Sequence, residues 1–424
     1  MIGFLFKGVI RDRSRSLFPF LTVLSGVMLT VVLYCWVKGI EAELVRASAS
    51  FATGHVKIMS RAYARESDQI PNELALMEVD SLIRNLRAEH PEFSWNPRIR
   101  FAGLLDIPDE KGETRSQGPV AGLGIDLLSP ASVEGKVLNL PTSLVRGALP
   151  AHPGELLLSD QLATNLGVNP GDKATLISAT MHGSMATANF VIAGTVRFGV
   201  PAMDRGAVIA DFREIQSALD MPDAAGEILG LFPDGQYRHE QAVRMTDVYN
   251  ARHENTRDEF APVMITLRDQ AGLAQMLDYT AYVSGIFIGI FVVVMSIVLW
   301  NAGLMGSLRR YGEIGIRLSM GEAKGHIYRS MIFESLIVGL IGSLAGTLVG
   351  LAISYYLQEK GIDIASSMKN ASMMMSDVIR ARVTPLSFVI GFVPGLLATL
   401  LGTSISGIGI YQRQTTQLSK ELEA

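Results

Sequence analysis

The 424-residue chain is short of cysteine, of aromatic residues and of charge. Its one cysteine, Cys35, excludes a disulfide framework or a cysteine metal site within the chain. Lying in an apolar run, Cys35 reads as a small buried hydrophobe. No G-x-x-x-x-G-K-[ST] phosphate loop, H-E-x-x-H zinc motif or G-x-S-x-G nucleophile elbow occurs, so nothing in the sequence points to an enzyme active site. The seven histidines (His55, His90, His152, His182, His239, His253 and His326) never fall at metal-ligand spacing. The pairs His239-Glu240 and His253-Glu254 sit in polar stretches and read as solvated surface. No basic patch with interleaved aromatics is present, which excludes a nucleic-acid partner. Charged residues make up 18% of the chain, below the roughly one quarter usual in soluble globular proteins.

What the chain has instead is long apolar runs. A helix needs about 20 apolar residues to cross the hydrocarbon core, and Leu17–Val37, Tyr279–Leu308, Ser335–Gln358 and Val383–Gln412 each carry no charged residue. They predict four transmembrane helices at 17–38, 279–308, 335–358 and 383–412. The second run exceeds one span, which calls for tilt or projection beyond the bilayer. Pro385, Pro394 and several glycines leave the ends of the fourth open. The first run follows Arg11, Arg13 and Arg15 and precedes Ala47-Ser48-Ala49, loosely like a signal peptide and its cleavage site. It is longer than a signal core, and the site lies well beyond its end, so an uncleaved helix is expected.

Charge sets the topology. Basic residues cluster before the first span (Lys7, Arg11, Arg13, Arg15) and between the second and third (Arg309, Arg310, Arg317, Lys324, Arg329). These segments, 1–16 (amphipathic) and 309–334, are therefore expected in the cytoplasm, as is the tail 413–424 with Arg413 and Lys420. Residues 39–278 and the loop 359–382 then lie outside it. The long middle segment is acidic, with 32 acidic against 21 basic residues. It reads as an α+β domain: alternating strand-like runs at His55–Met59, Gly103–Ile107, Lys173–Ser178 and Asn189–Val196, helical runs at Met77–Arg87, Leu162–Leu166 and Phe212–Leu219. Gly154–Gly171 reads as strand, helix capped by Ser159 or Asp160, and turn. The fold class is thus a four-helix membrane protein with a large α+β extracytoplasmic domain.

The second cytoplasmic loop is the most informative segment. In Arg309–Gly321, Glu313 and Arg317 stand four apart and can pair along one helix face. Tyr311, Ile314 and Leu318 give an apolar face, and Gly321 can close the helix in a left-handed cap. By physics alone this short amphipathic helix either meets a cytoplasmic partner or lies on lipid headgroups.

These residues carry a resemblance. "GEIGIRLSMGEAKGHI", from Gly312, is similar to the "REIGILRALGA" signature of the FtsX/MacB-type permease superfamily of ABC transporters. The layout of one span, a large external domain and three spans matches too, as do "RDRSRS" before the first span and "GELLLSDQLATNLGVNPGD" in the external domain. Gly39–Ile58, "GIEAELVRASASFATGHVKI", resembles the lipoprotein-releasing LolC/LolE branch more than the MacB efflux branch. Departures are Gly312 where arginine is common and a tail, "YQRQTTQLSKELEA", without the family's proline pattern. The resemblance implies that Tyr311, Glu313, Ile314, Gly315, Arg317, Leu318, Met320 and Gly321 form a coupling helix docking on a separate cytoplasmic ABC ATPase dimer. ATP and magnesium would be bound there, with no cofactor in this chain. It also implies a second permease subunit, the bacterial inner membrane, and a periplasmic carrier or adaptor. The work done would be extraction of lipoproteins or other amphiphiles from the outer leaflet. MacB-like efflux of peptides or small molecules and FtsX-like, non-transporting activation of a cell-wall hydrolase are the alternatives.

Three further features carry expectations. Gly342, Gly346 and Gly350 form a small-residue stripe for close helix packing, within the subunit or across a dimer. Met368, Met373, Met374 and Met375 cluster in the 359–382 loop, as ordinary loop packing or as an adaptable surface dipping into lipid. Glu334 is expected at the cytoplasmic interface. Nothing identifies substrate-binding residues.

Overall fold

A computed structural model describes residues 13–253, 258–270, 272–309, 316–363 and 378–412, with side chains for all of these except 13–16, 302–309, 363 and 406–412. The principal helices are α1 (Arg13–Ser48), α2 (Val79–Glu89), α3 (Asp160–Leu166), α4 (Phe212–Ala218), α5 (His239–His253), α6 (Leu273–Arg309), α7 (Lys324–Lys360) and α8 (Phe392–Gln412). The principal strands are β1 (Val56–Ser60), β2 (Ser94–Pro108), β3 (Thr114–Ile125), β4 (Leu144–Gly147), β5 (Glu155–Ser159), β6 (Lys173–Ala179), β7 (Met185–Val196), β8 (Ala207–Asp211), β9 (Glu227–Leu231) and β10 (Pro262–Thr266). The chain divides into two units: Met1–Ala42, Leu277–Ile362 and Ile379–Ala424 in one, Glu43–Met276 and Asp363–Val378 in the other.

The first unit is helical, and its four helices are each long and apolar enough to cross a membrane. α1, α6 and α7 have 36, 37 and 37 residues; at 1.5 Å per residue each runs about 55 Å, far longer than the hydrocarbon core. The fourth span resolves the question raised by its prolines. Pro385 opens a 3₁₀ turn, Pro385–Phe388, fixed by a capping box between Thr384 and Ser387, and α8 starts afresh at Phe392. Pro394 then falls in the first turn of α8, where a missing N–H costs nothing. Exposed tyrosines mark one end of α6 (Tyr279, Tyr282) and one end of α7 (Tyr355, Tyr356), as expected where a span meets the membrane–water interface.

The second unit is built on a ten-stranded sheet. Six of its strands close on themselves: β2 pairs β3, β3 pairs β8, β8 pairs β5, β5 pairs β7, β7 pairs β6, and β6 returns to β2. Closure is possible because β2 is 15 residues long. Its first half, Ser94–Arg98, pairs with β9, and its second half, Gly103–Asp106, pairs with β6. Where β2 pairs with β3, Phe101 stands opposite Gly122 and lies over it; a Cβ there would fall 1.9 Å from the ring. Strands β9, β1 and β10 extend the sheet beyond the ring, all antiparallel. One large apolar core runs from Val56 through Trp95, Phe101, Leu158, Phe190 and Phe212 to Met264. At α3 the cap is Ser159, whose Oγ accepts from the Leu162 N–H at 3.3 Å, and Gly167 ends the helix at φ +67°. Asp160, the other expected cap, instead accepts from Arg146 Nε and Thr195 Oγ1, both at 2.8 Å.

Candidate functional site

The loop between α6 and α7 is described from Ile316 onwards. Of the residues expected to form a coupling helix, Tyr311, Glu313, Ile314 and Gly315 lie outside the described residues, and with them the Glu313–Arg317 pair. Ile316–Ser319 is helical. Gly321, at φ +89°, donates its N–H to Leu318 O at 3.1 Å, and Glu322 donates to Arg317 O at 3.0 Å. These two bonds are a Schellman closure, which requires the left-handed backbone that glycine adopts without strain. Leu318 packs on buried Ile327 of α7. At the start of α7, Glu322 and His326 are in contact at 2.7 Å.

Anchoring by Leu318 turns its neighbours outward. Ile316 is 60% exposed and Met320 74% exposed, four residues apart on one side of the turn. Arg317 is exposed beside them. Ile316 was not among the residues singled out above; its i,i+4 spacing with Met320 was the signal that could have found it.

The glycine stripe of α7 faces α1. A Cβ at Gly342 would lie 3.0 Å from Val23 Cβ, at Gly346 2.6 Å from Leu24 O, and at Gly350 2.9 Å from Val31 Cβ. On α1 the matching face is Val23, Val27, Val31 and Cys35, all fully buried at four-residue spacing. α8 joins the same contact, since Gly395 abuts Ser343 and Val27. Cys35 donates to Ser387 Oγ at 3.3 Å. Gly39 also has a steric reason: its Cβ would sit 1.9 Å from Arg380 O, while Arg382 N–H donates to Cys35 O at 2.9 Å. α6 is the least covered span, with 11% of its most apolar stretch buried against 39%, 39% and 33% for the others. Glu334 lies within α7. The cluster Met368, Met373, Met374 and Met375 lies outside the described residues.

In the sheet unit a set of buried polar contacts lies along β1 and β2. Arg98 and Glu134, both fully buried, form a bidentate pair at 3.0 and 2.6 Å. Lys57 and Glu227, also buried, pair at 2.6 Å. His55 is buried beside Phe232 and Tyr237, and its Nδ1 accepts the Phe232 N–H at 2.8 Å. Burial pushes its pKa down to about 4, against an opposing pull from Asp234 and with a further push from Arg238. Such a ring is neutral, with its proton on Nε2. Sequence spacing gave no sign of these groups, because their partners are far apart along the chain. A cavity of about 370 Å³ lies elsewhere in this unit, lined by Ile83, Arg84, Arg87, Phe212 and Arg213 among others. Arg213 is held by Asp80 at 2.8 Å.

Comparison with known proteins bears out the resemblance read from the loop. Residues 285–415 match the FtsX-like permease C-terminal family. The chain is 25% identical over 256 residues to the lipoprotein-releasing system transmembrane protein LolC of Xylella fastidiosa, covering 58% of this chain and 59% of that protein. It is 21% identical over 396 residues to the macrolide export ATP-binding/permease protein MacB 1/2 of Paracoccus denitrificans, covering 92% of this chain and 55% of that one. The chain thus spans a little over half the length of these relatives. Among solved structures, the periplasmic region of MacB from Actinobacillus actinomycetemcomitans is 14% identical with a TM-score of 0.35, covering 55% of this chain and 95% of that one.

Proposed function

We propose, from the premise that this chain is an FtsX/MacB-type permease with a LolC-like relationship, that it is the membrane subunit of an ATP-driven system whose ATPase is a separate polypeptide. The observation that carries the reading is the apolar pair Ile316 and Met320. It stands outside on a turn fixed by Leu318 and by the Gly321 closure, within the segment matched to the FtsX-like family. Large apolar side chains beside Arg317 suit a groove on a partner protein. ATP and magnesium bind on that partner. Its closure moves the loop, and the spans carry the movement to the extracytoplasmic sheet, so no substrate need pass through the cytoplasm. The working unit pairs two permease subunits with two ATPases in the inner membrane of a bacterium, with loop and termini in the cytoplasm.

The substrate class that fits a mechanism of this kind is a lipid-anchored or amphiphilic molecule taken from the outer leaflet and passed to a periplasmic carrier. The pattern Gly39–Ile58 and the LolC likeness favour it. Efflux through a periplasmic adaptor is the second reading, favoured by the likeness to MacB along 92% of this chain.

Affinity purification of the tagged protein in mild detergent, followed by mass spectrometry, tests the proposal. An ATPase is expected with the wild type. It should drop at least about tenfold with I316D/M320D, since burying two carboxylates at a docking surface costs several kcal/mol. Lipoproteins in the eluate support extraction and an adaptor supports efflux. Absence of any ATPase, or full retention by I316D/M320D, sinks the coupling assignment.

A further inference from the structure

α1 does not stop at Ser48; it passes into a π-helical turn, Ala49–Thr53. In a continuing α-helix the amides of residues 54 and 55 would bond the carbonyls of 50 and 51. Here both are used elsewhere: Gly54 N–H donates to Ala49 O at 3.0 Å, the π-type bond, and His55 N–H donates to Gly230 O of β9 at 2.9 Å. The carbonyls of the half-buried Ser50 and Phe51 are therefore left without a helical partner, and an acceptor shielded from water and unpaired is costly.

One side chain takes both. Arg98 of β2 donates Nη2 to Ser50 O at 2.8 Å and Nη1 to Phe51 O at 3.0 Å. Its remaining donors, Nε and again Nη2, engage Glu134, which neutralises the buried charge. Two residues on, Thr53 O accepts from Gln270 Nε2 at 3.1 Å, and the same nitrogen donates to Thr266 O at the end of β10. Strand β1 begins two residues after Gly54 and pairs with both β9 and β10. A helix end held only by its own backbone could unwind under load. This one is held by a guanidinium rooted in the long strand of the ring.

We infer that Arg98 is a positioning residue for coupling: by gripping Ser50 and Phe51 it fixes the segment leaving the first span to the sheet, so that movement delivered along that helix reaches β1 and β9 instead of being lost in the turn. The inference rests on the proposed function, since it needs an ATPase that drives movement. Arginine is suited to the task because its planar fork serves two carbonyls and a carboxylate at once, which a lysine cannot do.

The test uses the detergent-purified assembly with its own ATPase. Hydrogen exchange at Val56–Ser60 and Glu227–Leu231 is compared with ADP and with a non-hydrolysable ATP analogue. In R98M/E134L the buried pair is replaced by apolar side chains of similar volume, a change that buried ion pairs often tolerate. The wild type is expected to change its exchange at these strands at least about threefold between nucleotides, and R98M/E134L to lose that change while hydrolysis stays within about twofold. R98K, which keeps the charge against Glu134 but not the fork, should fall between them, and it serves should the double variant not fold. A variant response equal to wild type overturns the inference alone, as does a wild-type assembly whose bound ATPase leaves these strands unchanged. Failure to recover any ATPase overturns the proposed function, and this inference with it.

Discussion

At the scale of single residues, His55 shows how burial turns an ordinary side chain into a pH-dependent element of stability. The unfolded ring takes a proton below about pH 6.5, whereas the native ring resists until about 4. Between these values the unfolded state binds more protons, so His55 makes the fold less stable as pH falls through that window. Its contribution is fully present above pH 6.5 and about 3 kcal/mol is lost by pH 4. Chemical unfolding of the full chain at pH 7 and pH 5 should therefore show a steeper loss for wild type than for His55→Asn, whose Oδ1 can still accept the Phe232 N–H. Equal slopes would assign the pH dependence to other groups. The strand around it also explains a limit of sequence reading. His55–Met59 reads as an alternating strand, yet every residue of β1 is buried. Lys57 looks like a solvent-facing position, and only its pairing with Glu227, far along the chain, lets it lie inside.

At the scale of elements, the fit of α7 to α1 depends on atoms that are missing. Gly346→Ala places a methyl against the backbone of Leu24, and overpacking of this kind costs about 1–3 kcal/mol. Gly285→Ala and Gly289→Ala in α6 meet nothing within 4 Å and should be neutral or slightly stabilising, since alanine favours helix over glycine by about 1 kcal/mol. The thermal midpoint of the purified protein separates the two cases, and a Gly346→Ala protein as stable as wild type would show that the helices part easily. Much at this scale was legible beforehand. The uncharged runs gave the spans because hydrocarbon tolerates so few other sequences, and Gly154–Gly171 declared its strand, cap and turn locally. The glycine spacing signalled close packing but not its partner, since an i,i+4 stripe looks the same from one helix whichever surface it meets. Likewise the charge spacing marks Glu313 and Arg317 and not Ile316, because only the contact of Leu318 with Ile327 decides which side of the turn is free. The double pairing of β2 was beyond reach, since local pattern does not say which distant strands a long one will join.

At the scale of the whole molecule, the basic short loops predict opposite sides of the membrane for Ile316 and Met185, an exposed residue at the start of β7. Having one buried cysteine makes the test clean. In a Cys35→Ala background, M185C should react with a membrane-impermeant maleimide once the outer membrane is opened, and I316C only after the inner membrane is breached. The reverse labelling would invert the topology and remove the basis for a cytoplasmic partner at the loop.

The pairing of β1 with β9 and β10 has a consequence for how the protein is made. Of the ten-stranded sheet, β1 comes first off the ribosome and both of its neighbours come last, Glu227–Leu231 and Pro262–Thr266. At usual synthesis rates of about 5–20 residues per second, the strand waits roughly ten to forty seconds for them. Throughout that interval an apolar edge hangs from a newly inserted helix, open to any other strand nearby. Biogenesis of this chain is therefore a race between its own last strands and its neighbours, and slowing translation downstream of residue 211 should cost yield before any change in the finished fold is detectable.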